Sequence, residues 1–403
     1  MDIWKEALAL EEYTIRCRRY IHENPELSDH EDGTVAFILQ ELTAMGIACE
    51  DVPGGGVMGF IEGVHPGKSV LLRADIDALP IQEAPDNRKQ PKLCVSKVPG
   101  VAHMCGHDTH TAMLLSAAKI LQKYREEIHG RIVLYFERGE EHGHGDYYMN
   151  KYLQENHIHV DSAWAQHVRP NLPTGSVAII EGGAYAGNSG FGTAIVGENA
   201  LSCGVALVNA LNTVRMRNVS PYERLTLSVN KFCYGADGVC RIGGTYRYYE
   251  MDKVARPLRE EVHNIITQTV AAYGCTTEKP IGKGSMTRSV INHPVCCQIA
   301  RRALGDVIGA ENITVTEPTM GAESFSILSA YFPSVMVFTG VGNPEKGMTA
   351  GGHNPHFDPD EAAFKTGVTA AVSYALAFLN YAGSIEFDPF VGTIDQYLES
   401  NRR

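Results

Sequence analysis

Eight consecutive residues, His103-Met104-Cys105-Gly106-His107-Asp108-Thr109-His110, bring together three histidines, a cysteine and an aspartate. Thiolate, imidazole and carboxylate are the side chains that hold transition metals. A thiolate with imidazole suits Zn2+, and less well Mn2+, Fe2+ or Co2+. Cys105 and His107 are separated by one residue, too close for both to lie on one helix face. That spacing fits a loop at a helix N-terminus, where two side chains converge on one ion. The plain alternative is a free core cysteine beside a surface histidine.

Glu140-Glu141 is the second chemical signal. Adjacent carboxylates at a strand end point in different directions, so one can bind a metal while the other faces a water. That division supplies a ligand and a general base from one dipeptide. A solvated acidic loop is the plain alternative, with His142 and His144 as rim residues. His167 ends the run Ala163-Trp164-Ala165-Gln166-His167, and His353 lies in Gly351-Gly352-His353-Asn354-Pro355-His356, where His356 is its competitor.

These residues need elements to position them. Helical spacing is expected over 4–22, 31–45 and 109–127, the last carrying Met113, Leu114, Leu115, Ala118, Ile120 and Leu121. Short strands are expected around 48–52, 57–62, 69–75, 131–136 and 163–167, with Pro53-Gly54-Gly55-Gly56 as a turn. Strand, helix and strand alternate as in βαβ units, which implies an α/β fold with a mostly parallel sheet. Ligands bind such sheets beyond the carboxyl ends of strands, and Asp75, Asp77, Glu140 and Glu141 all follow predicted strands. The texture changes near Gly182, with strands expected at 190–196, 224–232 and 243–249 and helices at 202–214 and 251–273. It reverts near residue 290, with a strand at 335–338 and a helix at 361–381. The expected organisation is a discontinuous catalytic domain, 1–183 and 291–403, interrupted by an α+β insert over 184–290.

Composition narrows the class. A chain of 403 residues is long enough for two domains. Its formal net charge of −12 argues against nucleic-acid binding, and no stretch of 18 apolar residues suggests a membrane span. Ten scattered cysteines, with no basic and apolar leader at the start, suggest reduced thiols in a cytoplasm.

The motifs, in chain order, resemble one family. Arg73-Ala74-Asp75-Ile76-Asp77-Ala78-Leu79-Pro80-Ile81 is similar to the RAD-x-DALPI signature of metal-dependent amidohydrolases such as hippurate hydrolase, N-acyl-amino-acid amidohydrolases and plant indole-acetyl-amino-acid hydrolases, within the aminoacylase and carboxypeptidase clan. His103 through Asp108 resembles H-x-CGHD, and Phe136 through Glu141 resembles FQPAEE with Glu137-Arg138-Gly139 in place of QPA. Gln166-His167-Val168 with Leu172-Pro173-Thr174-Gly175, Ala322-Glu323-Ser324-Phe325, His353-Asn354-Pro355-x-Phe357-Asp358, and Arg18-Arg19 with His22 and Pro25-Glu26-Leu27-Ser28 resemble further blocks.

The resemblance implies one or two divalent ions, Zn2+ or Mn2+, served by Cys105, His107, Glu141, His167 and His353. Glu140 would be the base that activates a water on the metal, and Asp77 would orient a ligand. The insert would be a lid through which a homodimer forms. The implied reaction is attack on a C–N bond of a small carboxylate-bearing substrate, foremost an N-acyl amino acid.

The lid departs from that pattern. Where the family has G-x-G-G-H-A, this chain reads Gly197-Glu198-Asn199-Ala200-Leu201-Ser202, with Leu201 at the position of the histidine that polarises the scissile carbonyl. The asparagine expected near 238–243 is missing too, although Gly244-Thr245-x-Arg247 survives. Losing one oxyanion donor typically costs roughly 100- to 1,000-fold in turnover. Arg215, Arg217 and Arg247 are therefore candidate replacements or carboxylate clamps. An aromatic aminohydrolase that releases ammonia from an aminobenzoate such as a nitroanthranilate needs no such histidine, and Tyr222, Tyr234, Tyr246, Tyr248 and Tyr249 could stack on its ring. Core packing is the other reading of those tyrosines. A non-catalytic metal- or ligand-binding relative is the alternative from another class.

Overall fold

Runs of β-branched and aromatic residues form the strands of an eight-stranded sheet, and their order is set by how the chain crosses over between them. In the computed structural model, which describes residues 1–214, 219–278, 282–283 and 285–402, the order is 48–52, 56–62, 129–137, 65–75, 162–173, 334–342, 177–179 and 313–314. The strand His65–Asp75 is parallel to both neighbours, His129–Glu137 and Ser162–Pro173, and Ser162–Pro173 is parallel to Ser334–Gly342. The outer strands Ala48–Val52 and Gly56–Glu62 are antiparallel. The fold class is α/β with a mostly parallel sheet, as the alternation of elements predicts.

The chain divides into two compact units, one of residues 1–182, 291–317 and 327–394 and a second of 183–290, 318–326 and 395–403. The last two segments fall outside the insert expected over 184–290. Within the second unit the tail helix Ile394–Arg402 is held by side chains of its own unit. The Arg256 guanidinium donates to the Ser400 carbonyl, and Arg259 to the Arg402 carbonyl.

Helix His107–Lys123 packs in the core of the first unit, with fourteen of its residues buried. Helix Phe364–Leu379 packs there too. The span 361–379 is the one described helix long and apolar enough to cross a membrane, and it is 78% buried in the protein, as a core helix is. The spacing over 4–22 predicts one helix, but there are two, Ile3–Ala9 and Glu11–Glu23, because the Leu10 N–H turns back to the Ala7 carbonyl. None of the ten cysteines is in a disulfide.

In the second unit, Gly187–Val196, Cys240–Tyr248 and Leu225–Tyr234 pair antiparallel. The central strand alternates, with Cys240, Ile242, Gly244, Tyr246 and Tyr248 buried. They pack on helices Ala200–Asn212 and Arg256–Ala272.

Candidate metal centre

Three parallel strands end side by side, and their carboxyl ends carry the chemistry. Asp75 pairs in register with Glu137, and His167 with Phe338. Asp77 thus follows one strand, Glu140-Glu141 another, and His167 lies on the third.

Gly106 lets the Cys105–His107 segment reach them. It sits at φ +94, a conformation that favours glycine. A Cβ there would lie 2.4 Å from Val168 Cγ2, so only a glycine allows the helix N-terminus to approach this strand.

The side chains then converge. Cys105 Sγ lies 3.4 Å from His167 Nε2, and His353 Nε2 lies 3.1 Å from Glu141 Oε1. Cys105, His107 and His167 form one group whose potential ligand atoms lie within 4.8 Å of one another. Cys105, Glu141 and His353 form a second such group, and His107, Glu140 and Glu141 a third. All five ligand candidates and Glu140 are gathered at one place. Sharing of Cys105 and Glu141 between groups leaves room for two ions.

Hydrogen bonds set which ring nitrogen each histidine offers. His107 Nδ1 lies 2.9 Å from Asp77 Oδ1, so it carries the proton and Nε2 is presented. That Nε2 is buried with no hydrogen-bond partner, 4.0 Å from Glu140 Oε2 and 4.0 Å from Glu141 Oε1. His167 Nδ1 donates to the Val168 carbonyl at 2.8 Å, which leaves Nε2 as acceptor. The remaining oxygen of Asp77 accepts from Ser28 Oγ at 2.6 Å and from the Glu141 N–H at 3.0 Å. Asp77 therefore positions His107 and the acidic loop together.

The charges call for a cation. Burial opposes protonation of His107, yet Asp75, Cys105 and Asp77 raise it well above the ordinary histidine range. Burial and His110 hold His167 well below that range, so it is a neutral imidazole ready to coordinate. An orphaned buried nitrogen, a thiol and the carboxylates of Asp75, at 3.6 Å from that nitrogen, and of Glu140 and Glu141 fit a divalent ion.

Two neighbouring histidines are excluded by their partners. His110 Nδ1 is 2.6 Å from Asp75 Oδ1, and its Nε2 accepts the Val168 N–H at 2.9 Å, so neither nitrogen is left for an ion. His356 is engaged with Asp86, its Nδ1 at 2.9 Å from that carbonyl. His353 is selected over it by its backbone, since its N–H donates to the Met104 carbonyl at 2.7 Å and its φ is +59. His142 and His144 are exposed.

The lid candidates fall elsewhere. Arg215 and Arg217 lie outside the described residues. Arg247 lies in the second unit, half-buried on Cys240–Tyr248. Leu201 is in the first turn of Ala200–Asn212, 46% exposed. The tyrosines do not form one stacking surface. Tyr246 and Tyr248 are core residues at 1% and 0% exposure, Tyr222 is 93% exposed, and Tyr249 donates to the Thr319 carbonyl. Core packing is the reading that holds for Tyr246 and Tyr248, because strand alternation turns both inward.

Sequence spacing misses two supports. Ser28 donates to Asp77 and Glu31 accepts the Gly139 N–H from far along the chain; no periodicity marks either role, although Ser28 falls in the block Pro25-Glu26-Leu27-Ser28.

Comparison with known proteins gives the chain's family and fold. Residues 71–377 match the model of peptidase family M20/M25/M40. The chain is 31% identical over 394 residues to IAA-amino acid hydrolase ILR1-like 4 of Arabidopsis thaliana, covering 91% of this chain and 86% of that protein. It is 30% identical over 390 residues to thermostable carboxypeptidase 2 of Saccharolobus solfataricus, covering 92% and 96%. Among solved structures, the YXEP protein of Bacillus subtilis, described as a dinuclear metal binding peptidase from the M20 family, superposes with a TM-score of 0.78 at 26% identity. That match covers 92% of this chain and 99% of that one.

Proposed function

The chain belongs to peptidase family M20/M25/M40 and is a metal-dependent hydrolase of C–N bonds, and from that premise we propose that it hydrolyses the amide of a small N-acyl amino acid. Membership of that family sets aside a non-catalytic relative. The observation that carries the reading is His107 Nε2, buried without a hydrogen-bond partner and facing Glu140 and Glu141. The names of the relatives, an amino-acid conjugate hydrolase and a carboxypeptidase, support an amide or peptide bond.

Cys105, His107, Glu141, His167 and His353 would hold one or two divalent ions, with Zn2+ favoured by the thiol over Mn2+. Such an ion supplies Lewis acidity and a nucleophilic water at neutral pH. Glu140, its side chain 10% exposed, takes the proton from the attacking water and passes it to the leaving nitrogen. Asp77 keeps His107 in the tautomer that presents Nε2. Release of free amino acid from acylated amino acids, after loading with Zn2+ or Mn2+, tests the reading. No release from any of them with either metal would overturn it.

A second reading rests on Leu201, which offers no donor to an oxyanion. It is aromatic deamination, read out as ammonia from aminobenzoates. We also propose that the chain forms a homodimer through 184–290, which a solution mass by light scattering would check.

A further inference from the structure

The loop carrying the acidic pair is a closed turn. The Gly143 N–H donates to the Gly139 carbonyl at 2.8 Å, enclosing Glu140, Glu141 and His142. Gly139 sits at φ +64, and a Cβ on it would lie 2.7 Å from Gly143 Cα. Conversely, a Cβ on Gly143 would lie 2.6 Å from Gly139 Cα. This is where Glu137-Arg138-Gly139 departs from the family's QPA.

Two carboxylates grip the turn from the rest of the first unit. Asp77 accepts the Glu141 N–H. Glu31, its side chain 0% exposed, accepts the Gly139 N–H at 2.7 Å through Oε1. Its Oε2 is buried without a hydrogen-bond partner, with Arg138 Nη1 at 3.8 Å. Arg138 itself bonds the neighbouring Asp32 at 2.8 Å.

Glu31 has an ordinary task available that it does not perform. It stands at the N-cap of helix Asp32–Ala44, where an acidic side chain would normally accept a helix N–H, but it makes no capping bond. Glu26 caps that helix instead, accepting from Gly33 N at 2.9 Å and Thr34 N at 2.7 Å. Burying a carboxyl with one hydrogen bond is unfavourable. Burial pushes the Glu31 carboxyl up to about 7, and Asp77 adds to the rise.

We propose that Glu31 is a positioning residue, whose buried side-chain oxygen holds the Gly139–Gly143 turn and thereby aims Glu140 and Glu141 into the metal centre. The acceptor matters here, and the charge does not. This inference rests on the metal-dependent reading above, but metal binding tests it without a substrate.

Glu31→Gln keeps an oxygen for the Gly139 N–H and removes the charge. Glu31→Asp keeps the charge on a side chain one methylene shorter. Calorimetric titration with Zn2+ should give wild-type affinity for Glu31→Gln. For Glu31→Asp it should give a loss of about 10- to 100-fold, as for other residues that support metal ligands. In the amide assay kcat should fall with the same variant while KM stays put. A melting temperature equal in the two variants would separate this from loss of fold. Affinity that follows charge, falling in Glu31→Gln and kept in Glu31→Asp, would overturn the proposal, as would two unaltered variants. Should Glu31→Asp not fold, Gly139→Ala, which strains the same turn with Glu31 intact, must show the same loss of Zn2+ affinity. Wild-type protein that binds Zn2+ but releases no amino acid would strike the substrate reading alone.

Discussion

The backbone N–H of Val168 donates to His110 Nε2 at 2.9 Å, and this forces the ring proton of His110 onto Nδ1, against Asp75 at 2.6 Å. Arg73 bonds the other oxygen of Asp75 at 2.8 Å. A buried chain therefore runs from strand His65–Asp75 through helix His107–Lys123 to the strand that carries His167. His110 braces the centre without coordinating. Replacing it by alanine strands a buried carboxylate oxygen and a buried N–H, each worth about 1–3 kcal/mol. His110→Ala should lose roughly 3 kcal/mol in denaturant unfolding, and an unchanged midpoint would refute the bracing role.

As the proposed base, Glu140 should bear on turnover and not on metal retention. It is beside His107 but is not needed for the Cys105, His107 and His167 group. Glu140→Ala should retain metal by elemental analysis and lose turnover by about 100- to 10,000-fold. Turnover within a few-fold of wild type would remove it as the base.

Gly106 couples fold to site. An alanine there meets both an unfavourable φ and the Val168 side chain. Gly106→Ala should cost on the order of 1–3 kcal/mol and weaken metal binding as well, since Cys105 and His107 flank it. Calorimetry showing full metal affinity with normal stability would contradict this account.

Acid stability should depend on Glu83. Burial works against its ionisation, but His22, Lys92 and the Ser96 N–H hold its pKa down at about 2, below the ordinary 4.5. The folded-state value is the lower one, so the stabilisation is present above pH 4.5 and is lost as pH falls towards 2. Glu83→Gln should lower stability at pH 7 by on the order of 2 kcal/mol and flatten its decline in acid. A pH–stability curve parallel to that of wild type would count against the ion network.

Much of the site was legible because metal chemistry uses few residue types. Cys105, His107 and Glu140-Glu141 stand out by type and spacing, and strand alternation puts Asp77 and the acidic pair at strand ends. Residue type and spacing leave His353 and His356 as competitors in one glycine-flanked run, and only the resemblance of His353-Asn354-Pro355-x-Phe357-Asp358 to a family block picks His353. The backbone bond from His353 to Met104 and the Asp86 contact of His356 decide it. Asp75-His107-His110 is dense enough in ligands to look like a site, yet the Val168 N–H closes it.

Residue types and local periodicity alone determined the α/β class, the helix after His107 and the chemical kind of centre, because they follow from side-chain chemistry and short-range geometry. The tertiary structure alone decided which nitrogen each histidine presents and which face of strand Cys240–Tyr248 is covered by helices. It also decided that Glu31 reaches across more than a hundred residues to the Gly139 turn. Those outcomes depend on partners brought close by strand order and close backbone approach, which no spacing along the chain encodes.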